Sequence, residues 1–336
     1  MANENLPAFI EALMQAKMYD HPVQDIQLVQ THISFVLLAG DFVYKFKKPV
    51  DFGFLDFSTL EKRRHCCRQE LQLNRRLCPD IYLGLVTVTS EGDGFALNGQ
   101  GEEVETGVKM VRMPEEQMMV NLIKNDQVGQ EQIDDLVEVL VPFYQQAERN
   151  REIDGYGSAE SVAVNVLENF EQTRGFVGNG AIDQHQFDTI SNWAGDILTR
   201  KDLFDRRIAG GHIRDCHGDL YSANICLADK VYIYDCIEFN RRFRYCDVAS
   251  DIAFLAMDLD YHGLQKLSNY CIDQFCARAG DQQLREMLNF YKCYRAYVRG
   301  KIGLFTAADP AVDPAVQKSC IAASARYFTL AESYTN

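Results

Sequence analysis

The chain has 336 residues, 47% hydrophobic and 24% charged, enough for one large or two moderate globular domains with a full core. A net charge of −14 and a pI near 5.0 exclude general binding to nucleic acid or anionic lipid, which require a positive surface. The eleven cysteines include no C-x-x-C pair, and Met1–Ala12 carries two Glu and no basic stretch. With no apolar run near the ~20 residues a membrane helix needs, the expectation is a cytoplasmic protein with neither a secretory signal nor a membrane span. Cys216, Cys226, Cys236 and Cys246 recur every ten residues but lack the close pairs of a zinc site, and read as buried reduced thiols.

Leu6–Lys17 reads as a short helix with Phe9, Ile10 and Leu13 on one side. Strand-like runs follow at Ile26–Gln30, Ile33–Leu38 and Phe42–Phe46, with Ala39-Gly40-Asp41 turning the last two into a hairpin. Thr31-His32-Ile33-Ser34 joins the first two without a glycine, leaving the Thr31 and Ser34 hydroxyls as its available side-chain donors. Lys45 ends the third run; Lys47 shares its side-chain parity and Lys48 points the other way. A solvated basic strand end is the plain alternative for these lysines. Asp51-Phe52-Gly53 reads as loop. Ser58-Thr59-Leu60-Glu61 is a capping box opening a helix to about Leu77, with Glu70 in its middle. Lys62, Arg63, Arg64, Arg68, Arg75 and Arg76 read as its solvated face. Tyr82–Thr89 and Phe95–Leu97 flank the turn Glu91-Gly92-Asp93-Gly94, and Thr106–Met113 is a further strand.

From Gln130 the pattern turns helical. Ile133, Leu136, Val137, Leu140 and Val141 form one apolar stripe, and Val162–Phe170 and Phe187–Leu198, with Trp193, form two more. Gly175–Gly180 is a plain connection, and Gly210-Gly211 leads out of a helix into His217-Gly218-Asp219-Leu220-Tyr221-Ser222-Ala223-Asn224. That loop carries a carboxylate, Asp219, and five residues later a carboxamide, Asn224. Strand-like Ile225-Cys226-Leu227 and Val231–Tyr234 then deliver Asp235. Phosphoryl transfer needs this combination: a base to orient the attacking hydroxyl and hard oxygen ligands to hold Mg²⁺ against nucleotide phosphates. A turn whose Asp and Asn cap their own backbone is the alternative, and it leaves Asp235 unexplained.

The H-G-D-x-x-x-x-N form, with Asp235 closing the next strand and Arg244–Ala253 similar to a D-x-x-x-D-[LI]-A helix start, resembles the aminoglycoside phosphotransferase and choline kinase group. The resemblance covers roughly Ile26 to Lys301. It implies an α+β, two-lobed protein-kinase-like fold, with a small, mainly antiparallel β lobe over residues 1–113 and a larger helical lobe over 114–336. The small lobe would have five strands and one inserted helix. Asp219 would be the base, with His217 beside it in the catalytic loop, and Asn224 and Asp235 the metal ligands. Lys45 would meet the nucleotide phosphates, with Lys47 as runner-up, and only one of the two would also reach Glu70. Ser34 would face the phosphates and the strand ending at Met113 the adenine. Asp251 would hold the catalytic loop, Asp247 would support it or act as a helix cap, and Glu238 would add a carboxylate near the metal. Tyr221 and Asp235-Cys236-Ile237 depart from the family pattern of His and D-F-G. One subgroup with close relatives of Phe42–Leu60 and Asp235–Asp260 is sometimes fused to a P-loop kinase domain, and this chain contains no G-x-x-x-x-G-K-[ST].

Asp258 and Asp260, with Tyr261 and His262, read either as an acidic substrate pocket or as exposed surface. Lys292, Arg295 and Arg299 share one helix face, either pairing with Asp residues of the helical half or contacting an anionic substrate or protein partner; the acidity of the chain favours pairing. The expected activity is transfer of phosphoryl from ATP or another NTP, with Mg²⁺, to a small hydroxyl-bearing substrate. The rival is a kinase-like nucleotide-binding protein with little turnover; a protein kinase is disfavoured by Gly218 and the missing D-F-G.

Overall fold

The computed structural model describes residues 6–336, so Met1–Asn5, the start of the expected N-terminal stretch and of the expected small lobe, lie outside the described residues. The chain divides into two compact units. The first takes the described residues up to Met118 and then Ala228–Arg241; the second takes Met119–Leu227 and Arg242–Asn336. The chain thus leaves the first unit five residues past Met113 and returns to it for the segment bearing Asp235 and Glu238.

The first unit is built on a six-stranded sheet of β1 (Ile26–Gln30), β2 (Ser34–Ala39), β3 (Phe42–Lys47), β4 (Tyr82–Glu91), β5 (Gly94–Leu97) and β6 (Glu102–Val111). The order is β1-β2-β3-β6-β4-β5, and every neighbouring pair is antiparallel. It has one strand more than the five that the resemblance implies, and all six correspond to strand-like runs of the sequence, β5 folding back on β4 from the Glu91–Gly94 turn. Period-2 alternation puts Phe35, Leu37, Tyr44, Phe46, Val86 and Val88 into one buried cluster with Ile10 and Leu13. The N-terminal helix supplying the last two runs only from Ala8 to Leu13, ending before extended Gln15 and a 3₁₀ turn at Ala16–Met18. Close strand packing requires Gly107, where an added Cβ would sit 2.6 Å from the Phe46 ring.

The helix Leu60–Asn74 packs on the sheet. Its cap is Thr59, whose hydroxyl accepts from the Lys62 amide, and not Ser58, whose amide and hydroxyl both donate to Asp56. The helix ends at Asn74, and Arg76 and Leu77 continue only as turns. Its basic residues are not simply solvated. Lys62 and Arg68 are exposed, but Arg63 is buried against Glu105 and the Phe57 carbonyl, Arg64 pairs with Glu103, and Arg75 donates to the Tyr82 carbonyl. A buried guanidinium is tolerable only with its donors occupied, which explains these long-range partners.

The second unit is helical. Its centre is the helix Val248–Tyr261, buried at every residue from Val248 to Asp260 and so apolar nearly all round. Around it lie Gln130–Gln146, Gln265–Ala279, Leu284–Ala308 and Pro314–Ser333. Gly280, at φ 72°, closes the second of these in the left-handed conformation glycine tolerates. A two-stranded antiparallel sheet, Ile213–Asp215 with Tyr245–Asp247, fixes the entry to the His217 loop and to the central helix. All eleven cysteines are free thiols. Among the described residues no helix is long and apolar enough to cross a membrane.

Candidate functional site

In the sheet unit, strand parity turns Lys45 and Lys47 to the same side, and the helix Leu60–Asn74 brings Glu70 beneath them. Lys45 Nζ lies 2.9 Å from Glu70 Oε1 and 2.6 Å from Asp235 Oδ1. Lys47 Nζ lies 2.8 Å from Glu70 Oε2 and also pairs with Glu238. Both lysines therefore meet Glu70, against the expectation that only one would, because a carboxylate offers an oxygen to each. The two differ in access: the Lys45 side chain is 16% exposed and that of Lys47 only 1%. Glu238 is buried and paired with Lys47. Burial alone would raise the Glu70 pKa, but Lys45 and Lys47 more than offset it and hold it down to about 2. Glu238, where burial prevails, is shifted upward. Lys45 stays charged despite burial, with Asp235 and Glu70 holding its pKa well above the ordinary value.

Asp235 has φ +61°, a left-handed conformation uncommon outside glycine. Two residues that sequence reasoning missed hold this segment: the Tyr82 hydroxyl accepts from the Asp235 amide at 3.3 Å, and Asn74 Oδ1 accepts from the Cys236 amide at 2.9 Å. Backbone held in a sparsely populated region by specific partners is a signature of functional geometry. Ser34 is buried, and its hydroxyl has no hydrogen-bond partner among the described residues; the exposed Thr31 hydroxyl accepts from the Ser34 and Ile33 amides. Met113 is half-buried, two residues beyond β6.

In the helical unit the His217 loop hangs on one buried carboxylate. Asp251 accepts the amides of His217 at 2.7 Å and Gly218 at 3.0 Å, and the Tyr144 hydroxyl at 3.1 Å. Gly218, at φ +87°, makes the bend. His217 is fully buried, and its Nδ1 accepts from the Asp219 amide at 3.3 Å, so it shapes the loop from within. Cys216, His217, Gly218 and Leu220 are buried while Asp219 is half-exposed, so the loop presents that carboxylate. Asn224 Nδ2 donates to Asp219 Oδ2 and to the Asp219 carbonyl, both at 2.9 Å. Asp247 caps the central helix through the Ala249 amide and forms a two-pronged pair with buried Arg207.

Arg295, for which the sequence favoured pairing with an Asp of the helical half, completes this support. It donates to the Gly218 carbonyl at 2.9 Å and to the Ser250 hydroxyl at 3.2 Å, and lies 3.5 Å from Asp251. Replacing it with Met is expected to cost roughly 3–5 kcal/mol of stability, the scale for breaking a buried, bonded charge pair. Urea unfolding would measure this, and a loss below about 1 kcal/mol would show that the loop is held without it. Asp258 and Asp260 form neither an acidic pocket nor exposed surface. Both are buried: Asp258 accepts the Ser222 amide at 3.0 Å, and Asp260 takes Lys292 at 2.8 Å and the Tyr334 hydroxyl at 2.6 Å.

No family model matches the chain. It is 35% identical over 298 residues to proteins of Mycobacterium tuberculosis (strain H37Rv) and Mycobacterium bovis, each named only as an uncharacterised protein, covering 84% of this chain and 56% of theirs. The chain thus spans about half the length of the curated relatives it matches. Among solved structures, amicoumacin kinase in complex with AMP-PNP and Ca²⁺ superposes with a TM-score of 0.53 at 13% identity, covering 95% of this chain and 91% of that one. A Ralstonia eutropha protein proposed to be an aminoglycoside phosphotransferase gives 0.52 at 10%, covering 97% and 98%. Glucosamine kinase with glucosamine, ADP and inorganic phosphate gives 0.50 at 13%, covering 93% and 76%. With its antiparallel sheet unit and helical unit, the chain has the two-part kinase-like fold of these structures.

Proposed function

We propose that the chain transfers the γ-phosphoryl group of ATP, or another nucleoside triphosphate, to a hydroxyl of a small molecule. The observation that carries this reading is Lys45, a strand lysine drawn at once to a helix carboxylate, Glu70, and to Asp235 across 190 residues of sequence. A lysine so held is fixed in direction yet keeps part of its surface for an anion, as phosphate binding requires. Asp219 would orient the acceptor hydroxyl and draw off its proton. The segment ending at Met113 would meet the base through its backbone. The ADP and phosphate in one neighbour, and the AMP-PNP in another, support nucleotide use here.

The residues assigned to Mg²⁺ fit a hard cation. Among the described residues Asn224 Oδ1 and Asp235 Oδ2 accept no hydrogen bond, Asn224 donating through Nδ2 and Asp235 accepting Lys45 through Oδ1. Among the described residues no group of three or more His, Cys, Asp or Glu is gathered for a metal. That suits an ion held by one or two side chains together with substrate phosphates. When bound, Mg²⁺ supplies neutralisation of phosphate charge.

A coupled assay of ADP release across a panel of hydroxyl compounds, with Mg²⁺ or EDTA, tests the reading. Asp235→Ala is expected to abolish the Mg²⁺-dependent protection of the protein by ATP against heat while far-ultraviolet dichroism stays native. The internal use of the Thr31 hydroxyl and the burial of Ser34 favour a second reading, a nucleotide-binding protein with little turnover. Tight ATP binding with no acceptor-dependent ADP release across the panel would establish that second reading.

A further inference from the structure

The basic face of the helix Leu284–Ala308 holds three cations with different commitments. Lys292 is spent on Asp260 and Ser268, and Arg295 on the Gly218 carbonyl, Ser250 and Asp251. Arg299, one turn further on, is in no ion pair among the described residues. Its guanidinium carbon lies 4.7 Å from the centre of the Tyr221 ring and 5.8 Å from that of Tyr327, whose hydroxyl it hydrogen-bonds, while its Nε is buried with no hydrogen-bond partner among the described residues. An unspent buried donor on a charged group is costly unless a ligand takes it up. Tyr221 is two residues past Asp219 and stacks on Phe254 at 5.3 Å, so the guanidinium is fixed on the loop that presents the proposed base. Its charge and that of Asp219 act on each other, and Arg299 retains partial exposure. The carboxylates that would otherwise suit a cationic acceptor here, Asp258 and Asp260, already serve the Ser222 amide and Lys292.

We propose that the acceptor is a hydroxyl compound carrying an anionic group, a carboxylate or a phosphate ester, and that Arg299 binds that group while the hydroxyl faces Asp219. This rests on the phosphotransferase reading above. In the step, the acceptor hydroxyl loses its proton to Asp219, its oxygen bonds to the γ-phosphorus, and the bond to the β-phosphate oxygen breaks to release ADP. Arg299 takes no part in bond making; its planar fork sets which acceptors dock.

The test uses the full chain with Mg²⁺ and ADP, and four probes of similar size: glycerate, glycerol 3-phosphate, glycerol and serinol. By calorimetry, one or both anions are expected to bind about 10- to 100-fold more tightly than glycerol or serinol, and the tighter anion identifies the group recognised. Arg299→Gln should erase that preference, and Arg299→Lys, keeping the charge without the fork, should restore part of it. Equal affinities for the four probes, no anion binding at millimolar concentration, or a preference that survives in Arg299→Gln would each overturn the proposal. Should Arg299→Gln fail to fold, the four-probe comparison on wild type and Arg299→Lys still decides. The same probes with ATP separate the two readings. Arg299-dependent anion binding without ADP release would remove the phosphotransferase and leave the anion site. ADP release driven only by glycerol or serinol would do the reverse.

Discussion

Replacing Asp219 with Asn is expected to lower turnover by about 10²–10⁴-fold, the usual worth of general-base assistance, while nucleotide affinity changes little. The substitution keeps the size of the side chain and leaves the loop's supports untouched. Asp251 holds the amides of His217 and Gly218, and Arg295 holds the Gly218 carbonyl, none of which involves the Asp219 carboxylate. What is lost is the charge that draws a proton from the acceptor, together with one of the two bonds from Asn224, which donates to Asp219 Oδ2 and separately to its carbonyl. Acceptor-dependent ADP release from the two proteins, with calorimetric ATP binding in parallel, measures the effect. Equal rates would remove Asp219 as the base, and equal rates at the background level would leave only the fold.

A division of labour between the two strand lysines should produce the other large effect. Lys45→Ala is expected to weaken ATP binding by at least about tenfold, the order of one charge-assisted bond to phosphate, with a smaller change in stability. Lys47→Ala should do the opposite. Its ammonium lies buried between Glu70 and Glu238, so its removal strands two carboxylates with one lysine left to balance them, costing roughly 3–5 kcal/mol. Burial works against the charge of Lys47, yet Glu238 and Glu70 hold its pKa above the ordinary range, which fits a permanently charged structural cation. Urea unfolding and calorimetric titration on both variants resolve the two outcomes. Similar, negligible losses in both would return the pair to a plain basic strand end, and a loss of ATP binding confined to Lys47→Ala would exchange their roles.

Much of this protein is local enough to read directly from the chain. The alternation of Phe35, Leu37, Tyr44 and Phe46 dictates strands with one face inside, and that same parity puts Lys45 and Lys47 on one side. The spacing of Asp219 and Asn224 is a property of one short loop. What the chain could not show is where polar side chains spend their bonds, since a buried charge finds its partner by proximity in the fold and not in sequence. Glu238 reaches Lys47 across 191 residues, Arg295 reaches Gly218 across 77, and Lys292 reaches Asp260 across 32. Without these contacts Glu238 resembled a metal ligand, Asp258 and Asp260 a substrate pocket, and Arg63 and Arg75 a wet surface. Tertiary packing decided each of them by the same rule: a charge removed from water must be matched within hydrogen-bonding reach.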